Sequence, residues 1–185
     1  MGERELAQQR IFTVGHSTHE LDRFVGLLSA HGVELLVDVR KMPASRRMPH
    51  FSAGALSRSL PEAGIAYEHV GELGGFRRPV PGSRNGGWRV GMFQGYADYM
   101  QTPEFAAALD RVAGWARERP TAIMCAEAQW QRCHRRLVSD ALLIRGFDVQ
   151  HIRSNGRLEQ HRLTPFAVVE GDRLEYPPEQ AELEV

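Results

Sequence analysis

The chain has 185 residues, 42% of them apolar and 25% charged, with 23 basic against 23 acidic side chains and two cysteines. That length suits one domain with a sizeable core, and no apolar run approaches the roughly 20 residues that cross a membrane. The polar start is unlike a signal peptide, and two cysteines are too few for a disulfide framework, so reduced thiols and the cytoplasm are expected.

In chain order, Ile11–Val14 reads as a first strand, followed by His16 and Ser17. Ser17 or Thr18 is expected to cap a helix whose apolar face is Leu21, Phe24, Val25, Leu27 and Leu28 and which Gly32 ends. Glu34–Val39 has the continuous apolar character of a strand buried on both faces. A loop rich in proline and arginine leads to a helix over Ser52–Ala63, closed by Gly64, and to a third strand, Ile65–Val70. The segment 71–91, rich in glycine, is long enough to be a lid or binding loop. Helix is predicted over Tyr96–Met100 and over Pro103–Arg117, the latter with Thr102 as cap and Pro103 in its first turn. Thr121–Met124 is a fourth strand, Gln131–Arg145 a last long helix ended by Gly146, and Phe147–Ile152 a fifth strand. A short hairpin crosses Gly171 and Asp172, and the tail after Pro178 is acidic.

Strands alternating with helices imply an α/β fold, a single Rossmann-like three-layer domain. Its sheet is mostly parallel, about five strands wide, with helices on both faces. The boundaries are a polar extension over 1–10, the domain over 11–177 and the tail over 178–185. Such sheets bind ligands beyond the carboxyl ends of their strands. There the chain offers His16 and Ser17, Asp38 and Arg40, Cys125 and Glu127.

The densest chemistry lies between Cys125 and Arg136. A residue between a strand and a helix start meets backbone N–H groups and a positive dipole end, which favours a thiolate or an anion. Cys125 is the candidate nucleophile or ligand and Glu127 or His16 the candidate for moving protons; Asp38 and His134 are further catalytic candidates, with Asp38 placed to hold His134 or Arg135. Cys125 and Arg132 stand one residue further apart than in the tyrosine-phosphatase signature, and no glycine lies between them, so a phosphatase loop is disfavoured. The run Leu35–Arg40 is similar to the opening strand of rhodaneses, although the cysteine loop differs.

Charge is unevenly placed. No acid occurs from Val39 to Pro61, nor between Glu72 and Asp98, while both stretches carry arginines. Ser17, Arg40, Arg46 and Arg135 are therefore candidate contacts for a small anionic substrate, phosphate-bearing or nucleotide-like. Two alternatives stand beside a small anion-directed enzyme of the transferase or hydrolase kind. One is a nucleic-acid-binding or accessory module without catalysis. The other is a metal-dependent enzyme with Cys125, Cys133 and His134 as ligands, although no Cys-x-x-Cys pair supports it. Otherwise no cofactor and no membrane partner is expected, and the sequence leaves the oligomeric state open.

Several motifs occur together and in order. They are Val14–Thr18, Val37–Arg40, Pro43 with Ser45 and Arg46, Pro49–Phe51, Leu73–Gly75, Met124–Glu127, Cys133–Arg135, and His151 with Ile152. In them the chain resembles the domain-of-unknown-function family 488, from about Ile11 to about Phe166. The resemblance implies a compact α/β domain and a shared pocket at His16, Asp38, Arg40, Cys125, Glu127, Cys133, His134 and Arg135. It implies no reaction. The stretch Arg78–Val90 looks longer and richer in glycine than is usual for that family.

Overall fold

The computed structural model describes residues 9–44 and 46–179. Most of the polar extension, Ser45 and the end of the acidic tail lie outside the described residues. A six-stranded sheet runs β3-β2-β4-β1-β5-β6. Its strands are β1 (Arg10–Gly15), β2 (Leu35–Asp38), β3 (Ala66–His69), β4 (Thr121–Cys125), β5 (Asp148–Ile152) and β6 (Leu158–Gln160). The first five are parallel to their neighbours, and β6 is an antiparallel edge strand beyond the five expected. β7 (Val168–Glu170) and β8 (Arg173–Glu175) form the separate hairpin.

Side-chain alternation sends each strand's residues to opposite faces. Phe12, Val14, Leu36, Ala122, Met124 and Ile152 pack under α1 (Leu21–Ser29) and α2 (Ala53–Ser59). Ile11, Leu35, Val37, Ile123, Cys125 and Val149 face α3 (Gly91–Tyr99), α4 (Pro103–Glu118) and α5 (Arg135–Ile144). Cys125 therefore belongs to the same face as α5, and so do Thr13 and His151 by the parity of their strands.

Local chemistry sets the helix ends, and some differ from the expected ones. Glu20, not Ser17 or Thr18, precedes α1, because Ser17 sits in left-handed backbone at φ 48° with its N–H on the Ala126 carbonyl. Ser52 caps α2 through the Ala55 N–H, and the chain then tightens into a 3-10 turn over Leu60–Ala63 at Pro61. The last helix starts at Arg135, four residues later than expected. A 3-10 turn over Trp130–Arg132 and extended backbone at Cys133 intervene. Thr102 caps α4 by accepting from the Phe105 N–H, with Pro103 following. Thr102→Ala is expected to cost about 1 kcal/mol, read as a lower urea midpoint at unchanged slope.

The glycine-rich segment is tied down. Asp98 of α3 accepts from the Val80 N–H, Ser83 Oγ and Asn85 Nδ2. Asn85 Oδ1 in turn takes the Tyr176 N–H at 2.9 Å. Trp88 and Phe93 are buried, with Trp88 packing on Phe93, Phe166 and Tyr176. Only Gly75 and Phe76 of this segment reach the cavity described next.

Candidate active site at the ends of the central strands

The parallel neighbours β1 and β4 form a switch point, since the connection leaving β1 runs toward β2 and that leaving β4 toward β5, in opposite directions along the sheet. Ligand crevices form at such a point. The two loops knit together beyond the strands: the His16 N–H donates to the Cys125 carbonyl and the Ser17 N–H to that of Ala126, each at 2.9 Å. Gly15 permits this approach, because a Cβ there would stand 1.9 Å from the Glu127 carbonyl oxygen. Beside the loops lies a cavity of about 580 Å³ whose walls include Arg40, Lys41, Met42, Phe76, Met92 and Glu127, with Cys125, Cys133 and His134 also lining it.

The two sulfurs are neighbours, with Cys125 Sγ and Cys133 Sγ 2.8 Å apart as free thiols. Arg135 holds them. Its Nε–H donates to Cys125 Sγ at 2.9 Å and its backbone N–H to Cys133 Sγ at 3.4 Å. The same guanidinium donates to Thr13 Oγ1 and to the Glu127 carbonyl. Arg135 is 1% exposed, and among the described residues no carboxylate lies within ion-pairing reach of it. A buried charge without a counter-charge costs several kcal/mol, and ionising one thiol relieves that cost. Burial pushes both thiols up. At Cys133 the hydrogen bond from Cys125 and the charge of Arg135 outweigh burial and bring its pKa down to about 7. Cys125, the donor of the pair, is pushed well up by burial and by its bond to Cys133. The lowered thiol is thus Cys133, the bonded neighbour of the Cys125 singled out in the sequence, while the guanidinium itself touches Cys125 Sγ.

His134 Nδ1 is 3.5 Å from Cys133 Sγ, and a side chain at Gly75 would crowd that nitrogen at 3.0 Å. Burial holds the imidazole below the ordinary value, so it is neutral at pH 7. The Glu127 side chain lines the cavity and is exposed to water.

Asp38 and Arg40 form the second charged element. Arg40 Nε and Nη2 donate to the two Asp38 oxygens at 2.8 and 2.6 Å, Nη2 also reaches the Phe51 carbonyl, and Nη1 faces His16 Nε2 at 3.2 Å. Asp38 is fully buried and also accepts from Tyr67. The fork of Arg40 is therefore spent on Asp38, and among the described residues one N–H of Nη1 has no partner; Asp38 holds Arg40 in place. His16 stacks on Phe51 at 4.3 Å, donates from Nδ1 to the Ser17 carbonyl and accepts from Arg40. Burial and then the Arg40 charge depress its pKa to about 4, which fits that neutral tautomer.

The remaining sequence candidates stand apart. Ser17 is half-buried at the strand end, outside the cavity walls, and Arg46 is exposed on the loop after β2, also outside them. Cys125, Cys133 and His134 are adjacent, yet among the described residues no three His, Cys, Asp or Glu side chains are placed to hold a metal ion.

The family model described as a domain of unknown function, DUF488, matches residues 20–142. The chain belongs to the DUF488 family. No curated protein and no solved structure matches it. The DUF488 match includes Arg40, Cys125, Glu127, Cys133 and Arg135 but stops short of β1 and β5, which in this protein complete the site through His16, Thr13 and His151. No helix among the described residues is long and apolar enough to cross a membrane.

Two depressed histidines predict an acid-labile fold. Burial lowers His16 to about 4 and His151 to about 2, from an ordinary 6.5. Each binds fewer protons folded than unfolded, so stability rises with pH across this window. Their contribution is complete above pH 6.5 and drains as pH falls toward 4 for His16 and lower still for His151. Urea midpoints measured from pH 7 to pH 4 should fall, and His16→Gln should flatten that fall.

Proposed function

We propose that this DUF488 protein is an enzyme that uses the Cys133 thiolate as a nucleophile on a small anionic substrate, phosphate-bearing or nucleotide-like. One observation carries the reading. A buried arginine without a carboxylate partner among the described residues lies beside two sulfurs in a cavity wall, and that environment activates a thiol. The substrate's negative charge fits Lys41 and Arg132 in the walls, together with the spare N–H of Arg40. Its flat apolar part fits Met42 and Phe76, which are 78% and 79% exposed. Phe76 is also held in left-handed backbone at φ 61°, a conformation that persists at ligand sites more often than elsewhere.

In the proposed reaction, Cys133 Sγ forms a bond to the electrophilic atom of the substrate. The bond to the leaving group breaks with its electron pair, and the leaving group takes its proton from water in the open cavity. Water or an acceptor then attacks the thio-linked group and releases the thiolate, giving hydrolysis or transfer, with Glu127 or His134 taking the attacking proton. A reducing compartment such as the cytoplasm keeps both thiols available. The test is the alkylation rate of each cysteine against pH, read by mass spectrometry on the folded protein. Cys133 should react first, with an apparent pKa near 7. If neither cysteine reacts until the protein unfolds, the reading fails.

A second reading is favoured by the exposed basic side chains Lys41, Arg46, Arg47, Arg78 and Arg89: a nucleic-acid binder. It demands an affinity for DNA or RNA that falls steeply with salt.

A further inference from the structure

Beyond the thiol pair the structure holds a second polar system, buried and unused by the reaction above. Thr13 Oγ1 lies 2.6 Å from His151 Nδ1, and His151 Nε2 lies 3.0 Å from His161 Nδ1. His161 Nε2 lies 2.8 Å from Asp140 Oδ1. All four side chains are buried: Thr13 and Asp140 are fully enclosed, His151 is 1% and His161 2% exposed. Trp130 stacks on the His151 ring at 4.1 Å and shields it from water.

The direction of these hydrogen bonds follows from their end. Asp140 receives the Thr164 N–H on Oδ1 and the Tyr176 hydroxyl on Oδ2, the arrangement of a carboxylate, which only accepts. His161 therefore donates from Nε2 and accepts at Nδ1. His151 then donates from Nε2 and accepts at Nδ1, so the Thr13 hydroxyl donates to His151. This leaves a lone pair of Thr13 Oγ1 facing Arg135 Nη1, 3.2 Å away. Were the tautomers reversed, His161 would turn a lone pair toward the Asp140 carboxylate, and the Thr13 hydroxyl hydrogen would lose His151 as its acceptor. The chain thus joins the Asp140 carboxylate to the Arg135 cation through bonds that all point one way. Arginine does not release its proton, so the chain cannot conduct a proton to the sulfurs. What it can do is fix where the guanidinium sits.

We infer that Thr13, His151, His161 and Asp140 form a relay of fixed tautomers that holds the Arg135 guanidinium against Cys125 Sγ, where its charge acts on the bonded sulfur pair, and that they are positioning residues for the thiolate. The inference rests on the thiolate reading above. Among the described residues, the charged or titratable groups around the sulfurs are Arg135 and His134 in contact with them, Tyr96 from α3, which packs on His134 and is pushed up by burial and by Cys133, and Arg40, Lys41, Glu127 and Arg132 in the walls of the same cavity. The relay acts on Arg135 alone.

The test compares wild type, Thr13→Val and Thr13→Ser. Valine keeps the shape and removes the hydroxyl, while serine restores it. Alkylation of Cys133 with iodoacetamide is followed from pH 5 to pH 10. Thr13→Val should raise the apparent pKa of Cys133 by about one unit, a tenfold slower reaction below pH 7, and Thr13→Ser should return it toward wild type. A merely structural role would lower the melting temperature without moving the pH profile. Nitrogen NMR of the wild-type imidazoles should show His151 and His161 both protonated at Nε2 near neutral pH. A wild-type profile in Thr13→Val, or a His151 proton on Nδ1, overturns the relay while leaving the thiolate reading in place. An inert Cys133 in the wild type overturns both.

Discussion

Arg135→Met is expected to slow alkylation of Cys133 at pH 7 by about 10- to 50-fold, as the thiol returns from about 7 toward or above its ordinary range. The size follows from the loss of the positive charge that lowers Cys133 from its place on Cys125 Sγ, while the backbone N–H on Cys133 Sγ remains. Stability is expected to move differently. Replacing a buried ion with a well-packed apolar side chain is often neutral or stabilising, and Arg135 has no carboxylate partner whose charge the substitution would strand. A variant that unfolds at the same or higher urea concentration, yet alkylates far more slowly, would mark Arg135 as a functional cation. Arg135→Lys should fall between, because an ammonium keeps the charge but cannot reach Cys125, Thr13 and the Glu127 carbonyl together. A Cys133 rate that Arg135→Met leaves unchanged would sink the electrostatic account.

Gly15→Ala is expected to cost about 3 kcal/mol or more. The added Cβ would meet the Glu127 carbonyl oxygen at 1.9 Å and its carbon at 2.6 Å. These are backbone atoms of the loop that holds Cys125 against Arg135, so no rotamer change can make room. Gly26→Ala provides the contrast. Gly26 lies inside α1, and a Cβ there meets nothing within 4 Å. The helix should gain about 0.5–1 kcal/mol. Equal effects of the two substitutions in urea denaturation would mean that the packing of the Cys125 loop does not limit stability.

Much of the fold was legible because β1, β2 and β4 are short apolar runs, each followed by polar or ionisable residues. That pattern places the buried sheet and its ligand-facing end together. The helix starts were less legible. Ser17 and Thr18 look like caps, but pairing of the Ser17 N–H with Ala126 draws them into the loop, and Glu20 takes the position before α1. Gln131–His134 has helical composition, yet Cys133 is pulled into extended backbone. The relay was not legible. Thr13 and His151 are register partners on neighbouring strands, but nothing local in either strand announces the pairing. One signal was available: Asp140 falls between Leu137, Val138, Ala141 and Leu142 of α5, a carboxylate amid residues that are buried, and such a group needs donors from elsewhere in the chain.

The place of β1 in the sheet also bears on the order of events during synthesis. Thr13 pairs with Ile123 on one side and with His151 on the other. A ribosome working at about 5–20 residues per second leaves this apolar strand without either neighbour for several seconds or more. β5 joins the sheet only through β1, so that strand closes two long loops, one to β4 and one to β5, and pairings so distant in sequence slow folding. Until β1 is paired, Thr13 is away from Arg135, and the sulfur pair lacks that part of its surroundings.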